Sequence, residues 1–167
     1  MYEVKWTYKN RIDNLVKQLE KVDKQFTEFG YFKEQGKHPE NPHLTYAELM
    51  AIHEMRLPGD PMRRPVFQEA LRVNGRKFKS NVLDSIKINI DKWALAKSSS
   101  PKPLLAEIAK HGIKMIKPVF GDKTLLRPNT PGVARSKGRN SPMIEFGYLK
   151  EALAYKTSLQ KKISKGY

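Results

Sequence analysis

The chain has 167 residues, 39% hydrophobic and 29% charged, with 32 Lys and Arg against 17 Asp and Glu, a formal net charge of +15. It has no cysteine, which excludes a disulfide framework, a thiolate metal site and a cysteine nucleophile. No apolar run approaches the roughly 18 residues a membrane span needs, and Met1 to Asn10 carries no signal-peptide pattern, so assembly in a cytoplasm without a membrane partner is expected.

The length suits one domain over residues 1–167. The hydrophobic share lies below the usual globular value, which predicts projecting parts that gain stability from a partner. Charge is uneven: residues 1–60 hold nine Lys and Arg against ten Asp and Glu, so the rest of the chain carries +16. Such a field attracts polyanions, either nucleic acid or an acidic protein surface.

Tyr2, Val4, Trp6 and Tyr8 alternate with polar residues, the period of a half-buried strand, with a helix as the alternative so near a terminus. From Asn10, the residues Ile12, Leu15, Val16, Leu19 and Val22 recur at helical spacing and predict an amphipathic helix. Phe26 to Phe32 is aromatic-rich and reads as a strand, and Lys33 to Pro42 as a polar surface loop. Thr45, with Glu48 three residues on, is a capping box opening a helix that ends in Ile52-His53-Glu54. Pro58, Gly59, Asp60 and Pro61 cannot continue it, so Arg56 to Met62 is a loop, and Pro65 suits the first turn of a second helix.

From Val66, the residues Phe67, Leu71, Phe78, Val82, Ile86 and Trp93 keep one helical stripe, with a bend or break expected at Asn74-Gly75. Ser98 to Pro103 is a linker, and Leu104 to Ile116 reads as a further helix. Residues 119–140 hold Pro128, Pro131, three glycines and five basic residues, a long basic loop expected to order on assembly. Tyr148 to Leu159 supplies a closing strand, followed by a flexible C-terminal tail at 160–167. The sum is an α+β fold: a small antiparallel sheet packed against several helices, one of them long, with extended loops.

His53-Glu54 begins like a zinc-protease motif, but that chemistry needs a second histidine one turn on, and Leu57 stands there. The pair is better read as holding the following loop through hydrogen bonds. No nucleophile elbow, glycine-rich phosphate loop or paired carboxylates appear, so the expectation is a chain that is not an enzyme and uses no metal or cofactor. Arg63 and Arg64 sit on a stiff loop at a helix start, where the dipole disfavours cations, which points to a carboxylate on a neighbouring subunit. On that view Arg64→Glu leaves the monomer folded and weakens assembly. Lys123, Arg127, Arg135, Lys137 and Arg139 can meet DNA phosphates or an acidic partner, and the lack of aromatics interleaved with them in the loop after Phe120 makes such contact backbone-directed.

Ala51-Ile52-His53-Glu54, a loop with Pro61, then Arg64-Pro65 and Phe67 resemble the central pattern of tailed-phage neck or tail-completion proteins. In that family a helix ends in His-Glu and a proline-containing loop leads to Arg-Pro-Phe at the start of a long helix. Lys137, Ser141-Pro142-Met143-Ile144, Gly147 and Leu149 are similar to its closing segment, and Phe26 to Phe32 with Gly30 fits its first strand. The chain departs at Met55 and Arg56, where an aromatic and a glycine are common, at Val66, which intervenes before Phe67, and at Phe146, which replaces a threonine.

The resemblance implies a non-enzymatic virion protein assembled in the host cytoplasm and located in the neck. It would form a ring of its own copies that joins or completes head and tail. Its partners would be head-completion or adaptor proteins and the tail tube or terminator, with non-specific contact to genomic DNA. His53, Glu54, Arg63, Arg64, Pro65 and Phe67 are then the assembly residues. Two other readings stand beside it: a tail terminator in the adjacent ring, and a small basic nucleic-acid-binding protein.

Overall fold

Thr45 accepts a hydrogen bond from the Glu48 backbone N–H at 3.2 Å, and the Glu48 carboxylate accepts one from Thr45 N–H at 2.8 Å, closing the expected capping box. The computed structural model in which these contacts are seen describes residues 2–60, 62–98, 100–136, 138, 140–144 and 147–159, with backbone alone at 2–8 and 159. The predicted tail at 160–167, Pro61, Phe146 and the candidate residues Lys137 and Arg139 lie outside the described residues.

The architecture is α+β, with two small antiparallel sheets and six helices among the described residues. Helix α1 (Tyr2–Asp23) corrects the strand expected at the N-terminus, since the alternating stretch continues the amphipathic helix without a break. Each residue added to an existing helix gains a hydrogen bond, whereas a strand there would need a partner. Strand β1 (Gln25–Gly30) pairs antiparallel with β4 (Ala154–Leu159), Gln25 opposite Leu159 and Gly30 opposite Ala154.

The segment read as a loop after Phe32 is instead a 3₁₀ turn at Lys33–Gln35 and a hairpin of β2 (Lys37–His38) and β3 (Asn41–Thr45). Its few residues carry little apolar pattern, and the hairpin is anchored through His38. That ring is buried edge-on against Tyr46, at 5.3 Å between centroids, and Tyr148, at 5.8 Å.

Helix α2 (Tyr46–Met55) leads through the proline loop to α3 (Val66–Ala94), 29 residues that run unbroken across Gly75. The flanking contacts explain why the expected break is absent. Asn74 donates to the Met115 carbonyl at 3.0 Å, and Phe78 packs on Phe29 at 6.1 Å, so packing outweighs the roughly 1 kcal/mol that glycine costs a helix. Helix α4 (Lys102–Ile116) packs along α3 and covers one face of the β1–β4 pair. The approach is close at Gly112, where an added Cβ would lie 2.4 Å from the Phe29 ring.

Met50, Val66, Ala70, Met115, Ile116, Val119, Phe120, Leu126, Leu149 and Leu153 form the core, joined at its edge by Phe29, Tyr31 and Phe67. Two short helices, α5 (Pro131–Ser136) and α6 (Tyr148–Glu151), stand where a continuous loop and the first half of a strand were expected. Gly147, at φ 83°, takes the left-handed conformation that starts α6 and turns the chain toward β4.

Candidate functional site

The end of α2, the proline loop and the start of α3 are stitched into one elbow. Arg56 pairs with Asp60 at 3.1 Å, Asp60 accepts from Met62 N–H at 2.7 Å, and Arg63 N–H donates to the Asp60 carbonyl at 3.1 Å. The His53 ring donates from Nδ1 to the Met62 carbonyl at 3.2 Å, and Arg64 N–H returns to the His53 carbonyl at 3.1 Å. Burial holds the His53 pKa below its ordinary value despite the Met62 bond, and the nearby Arg64 and Arg56 charges push the same way.

Glu54 performs a different task. Pro65 is the N-cap of α3 and offers no side-chain acceptor, while the Glu54 carboxylate accepts from Phe67 N–H at 2.5 Å. A helix start presents unsatisfied N–H groups and a partial positive charge, so a carboxylate brought from another helix caps it. Burial raises the Glu54 pKa, opposed by the Phe67 and Gln68 N–H groups and by Arg63.

Arg64 is 6% exposed, which corrects the expectation of an outward-facing guanidinium. It donates to the Arg63 carbonyl at 2.9 Å and to the Pro128 carbonyl at 3.0 Å, tying the elbow to the basic loop. Phe67 is likewise a packing residue, set edge-on to Tyr31 at 6.2 Å and touching the position of Gly30, where any Cβ would come within 3.6 Å of the ring. Arg63 is half-buried and donates to the Gln68 amide oxygen at 2.8 Å. The large side chains that point furthest outward at the elbow are apolar: Met55 is 82% and Leu57 78% exposed.

The basic loop is not held only by partners, contrary to expectation. Leu126 is 1% exposed, Gly121 N–H donates to the Pro142 carbonyl at 2.9 Å, and Asn129 N–H donates to the Asn140 side-chain oxygen at 2.9 Å. Lys123, Arg127 and Arg135 are exposed on it. The elbow and the loop, read separately from sequence, share one cavity of about 340 Å³, to which His53, Met62 and Arg64 contribute from one side and Asn129, Val133 and Met143 from the other.

His38 and Tyr148 also line that cavity, and Tyr31 donates its hydroxyl to the Leu149 carbonyl nearby. None of these carried a signal in the sequence, because each matters through a partner far along the chain. Among the described residues no group of three His, Asp or Glu side chains is placed to hold a metal ion, and no helix is long and apolar enough to cross a membrane. Comparison with protein families, curated proteins and solved structures finds no match to this chain.

Proposed function

We propose that this chain is a structural virion subunit of a tailed phage that forms a ring in the neck and helps join or complete head and tail. The observation that carries the reading is convergence. The residues that bear the resemblance come from separate parts of the chain, yet the structure gathers them around one joint. Gly30 lies under Phe67, Tyr31 bonds the Leu149 carbonyl, and His53, Arg64, Ser141 and Met143 border one cavity.

These contacts brace a scaffold: His53 and Glu54 spend their hydrogen bonds on the loop and on α3. What the joint presents outward is an apolar tip, Met55 and Leu57, on a pinned loop, the form of an anchor for a neighbouring subunit. Ring assembly needs such unlike surfaces on each copy. The exposed Lys123, Arg127 and Arg135 add a face for DNA or an acidic neighbour.

Cryo-electron microscopy of virions containing this chain tests the assignment. The expected result is a ring of its density at the head-tail junction, with the elbow tip at a protein contact, and Leu57→Asp should fold normally yet fail to enter particles. Absence of the chain from particles overturns the proposal, and density in the adjacent tail ring makes the protein a terminator instead.

A further inference from the structure

Only part of the apolar face of α1 is covered within the chain. Leu15 and Val22 are half-buried and Gln18 is 7% exposed where α1 packs on α3, whereas Ile12, Val16 and Leu19 are 59%, 47% and 48% exposed. At about 100° per residue those three form one stripe, turned about a quarter-turn from the covered side. A helix that packs at home through one edge of its apolar face leaves the other edge for something else.

The margins of the stripe indicate what that is. On the side away from Leu15 and Val22, within about a quarter-turn, lie the exposed carboxylates Asp13 and Glu20, with Asp23 at the end of the stripe and, among the described side chains, Lys9 the single cation between them. In a chain of net charge +15 this is a locally acidic edge, which disfavours DNA as the occupant.

Helix α3 carries the complement. Arg72, Arg76, Lys79, Leu83 and Lys87 are exposed and fall within about 40° of one line along the helix. Leu83 is 46% exposed in the middle of that line, and Glu69, the carboxylate on it, is taken by Arg72 at 2.6 Å. Among the described residues Arg76, Lys79 and Lys87 have no ion pair. Asp13 and Glu20 are seven residues apart and Lys79 and Lys87 eight, so both pairs are about 10–12 Å apart along their helices.

We infer that the uncovered stripe of α1 docks along the outer line of α3 in a second copy of this chain, Ile12, Val16 and Leu19 against Leu83, with Asp13 and Glu20 facing Lys79 and Lys87. The contact joins two different surfaces and is therefore heterologous, the kind that closes into a ring or runs on as a filament. It deepens the assembly reading and rests on it only for the closure of the ring.

The chain lacks cysteine, so introduced thiols report without background. Full-length Val16→Cys is mixed with a size-tagged Leu83→Cys chain, oxidised at high protein concentration and resolved without reductant, with circular dichroism checking the fold of each variant. The expected product is the mixed dimer in preference to either like pair. Adding Asp13→Lys and Glu20→Lys to the first chain should cut its yield about tenfold or more, and adding Lys79→Glu and Lys87→Glu to the second should restore it.

No mixed dimer, or a yield indifferent to the reversals, overturns the inference and leaves the stripe to a different protein. The neck assignment fails separately. Cross-linking intact in a chain absent from virions would sink that assignment and keep this contact, and a neck ring with these two helices apart would do the opposite.

Discussion

Pro65 begins α3 without a side chain able to accept a hydrogen bond, and Glu54 reaches over from α2 to supply the missing oxygen. Glu54→Ala should therefore cost about 1–2 kcal/mol in denaturant unfolding, the usual range for removing a helix cap. Glu54→Gln should cost less, because its amide oxygen still accepts from Phe67 and burial no longer opposes a charge. Arg64→Glu should fail at the level of folding, by about 3 kcal/mol or more, since it strands a carboxylate among the Arg63 and Pro128 carbonyls. A variant as stable as wild type would return Arg64 to the surface role expected from sequence.

His53 supplies a pH dependence. Burial depresses its folded pKa below the unfolded value of about 6.5, so the folded state binds fewer protons at that site. Its contribution to stability is complete above about pH 6.5 and is lost as pH falls through the depressed folded value. His53→Gln should flatten that part of the stability curve, which unfolding at a series of pH values between about 7 and 5 would record.

At the scale of elements, what was legible was local. The Thr45–Glu48 box, the prolines after Glu54 and the helical spacing in α1 and α4 act within a few residues, and the helices contain those residues, although α1 begins at Tyr2 and not at Asn10. The misses have non-local causes. Gly75 reads as a break until Asn74 and Phe78 are seen pinned from other elements, and the hairpin after Gly36 reads as loop until His38 finds Tyr148. Counting apolar residues along α3 also overlooks Ser85 and Asn89, which are buried because Ser85 meets His111 at 3.2 Å and Asn89 donates to the Ser85 carbonyl. Since nothing lies within 4 Å of a Cβ added at Gly75, Gly75→Ala should stabilise the protein by about 1 kcal/mol, read as a higher denaturant midpoint at unchanged slope.

For the molecule as a whole, the candidate site was half visible. The pattern His-Glu, proline loop, Arg-Pro-Phe marked the elbow, but the direction in which Arg64 and Phe67 point is set by Pro128, Tyr31 and Gly30, which no spacing rule connects to them. The basic loop keeps Lys123, Arg127 and Arg135 outward while its backbone is tied down. Replacing Lys123, Arg127 and Arg135 by Gln should leave the melting temperature within a degree or two, because all three are exposed. If the loop meets DNA, the slope of log affinity against log salt should become shallower by about 0.9 for each phosphate that the substituted loop no longer neutralises. An unaltered slope would assign those charges to protein.

The unbroken α3 has one more consequence, which is mechanical. Its 29 residues make a rod of about 43 Å, clasped at one end by Glu54 and the elbow and running past the sheet to Trp93 at the other. A tilt of about 5° at the clasp would sweep the far end through nearly 4 Å, roughly the width of a methyl group, and α4 would have to move with it, because Asn74 is bonded to the Met115 carbonyl and Ser85 meets His111. The stiffness across Gly75 therefore ties the elbow that carries Met55 and Leu57 to the far end of the subunit through α3 and α4 together, so that displacing one end costs contacts along the whole length.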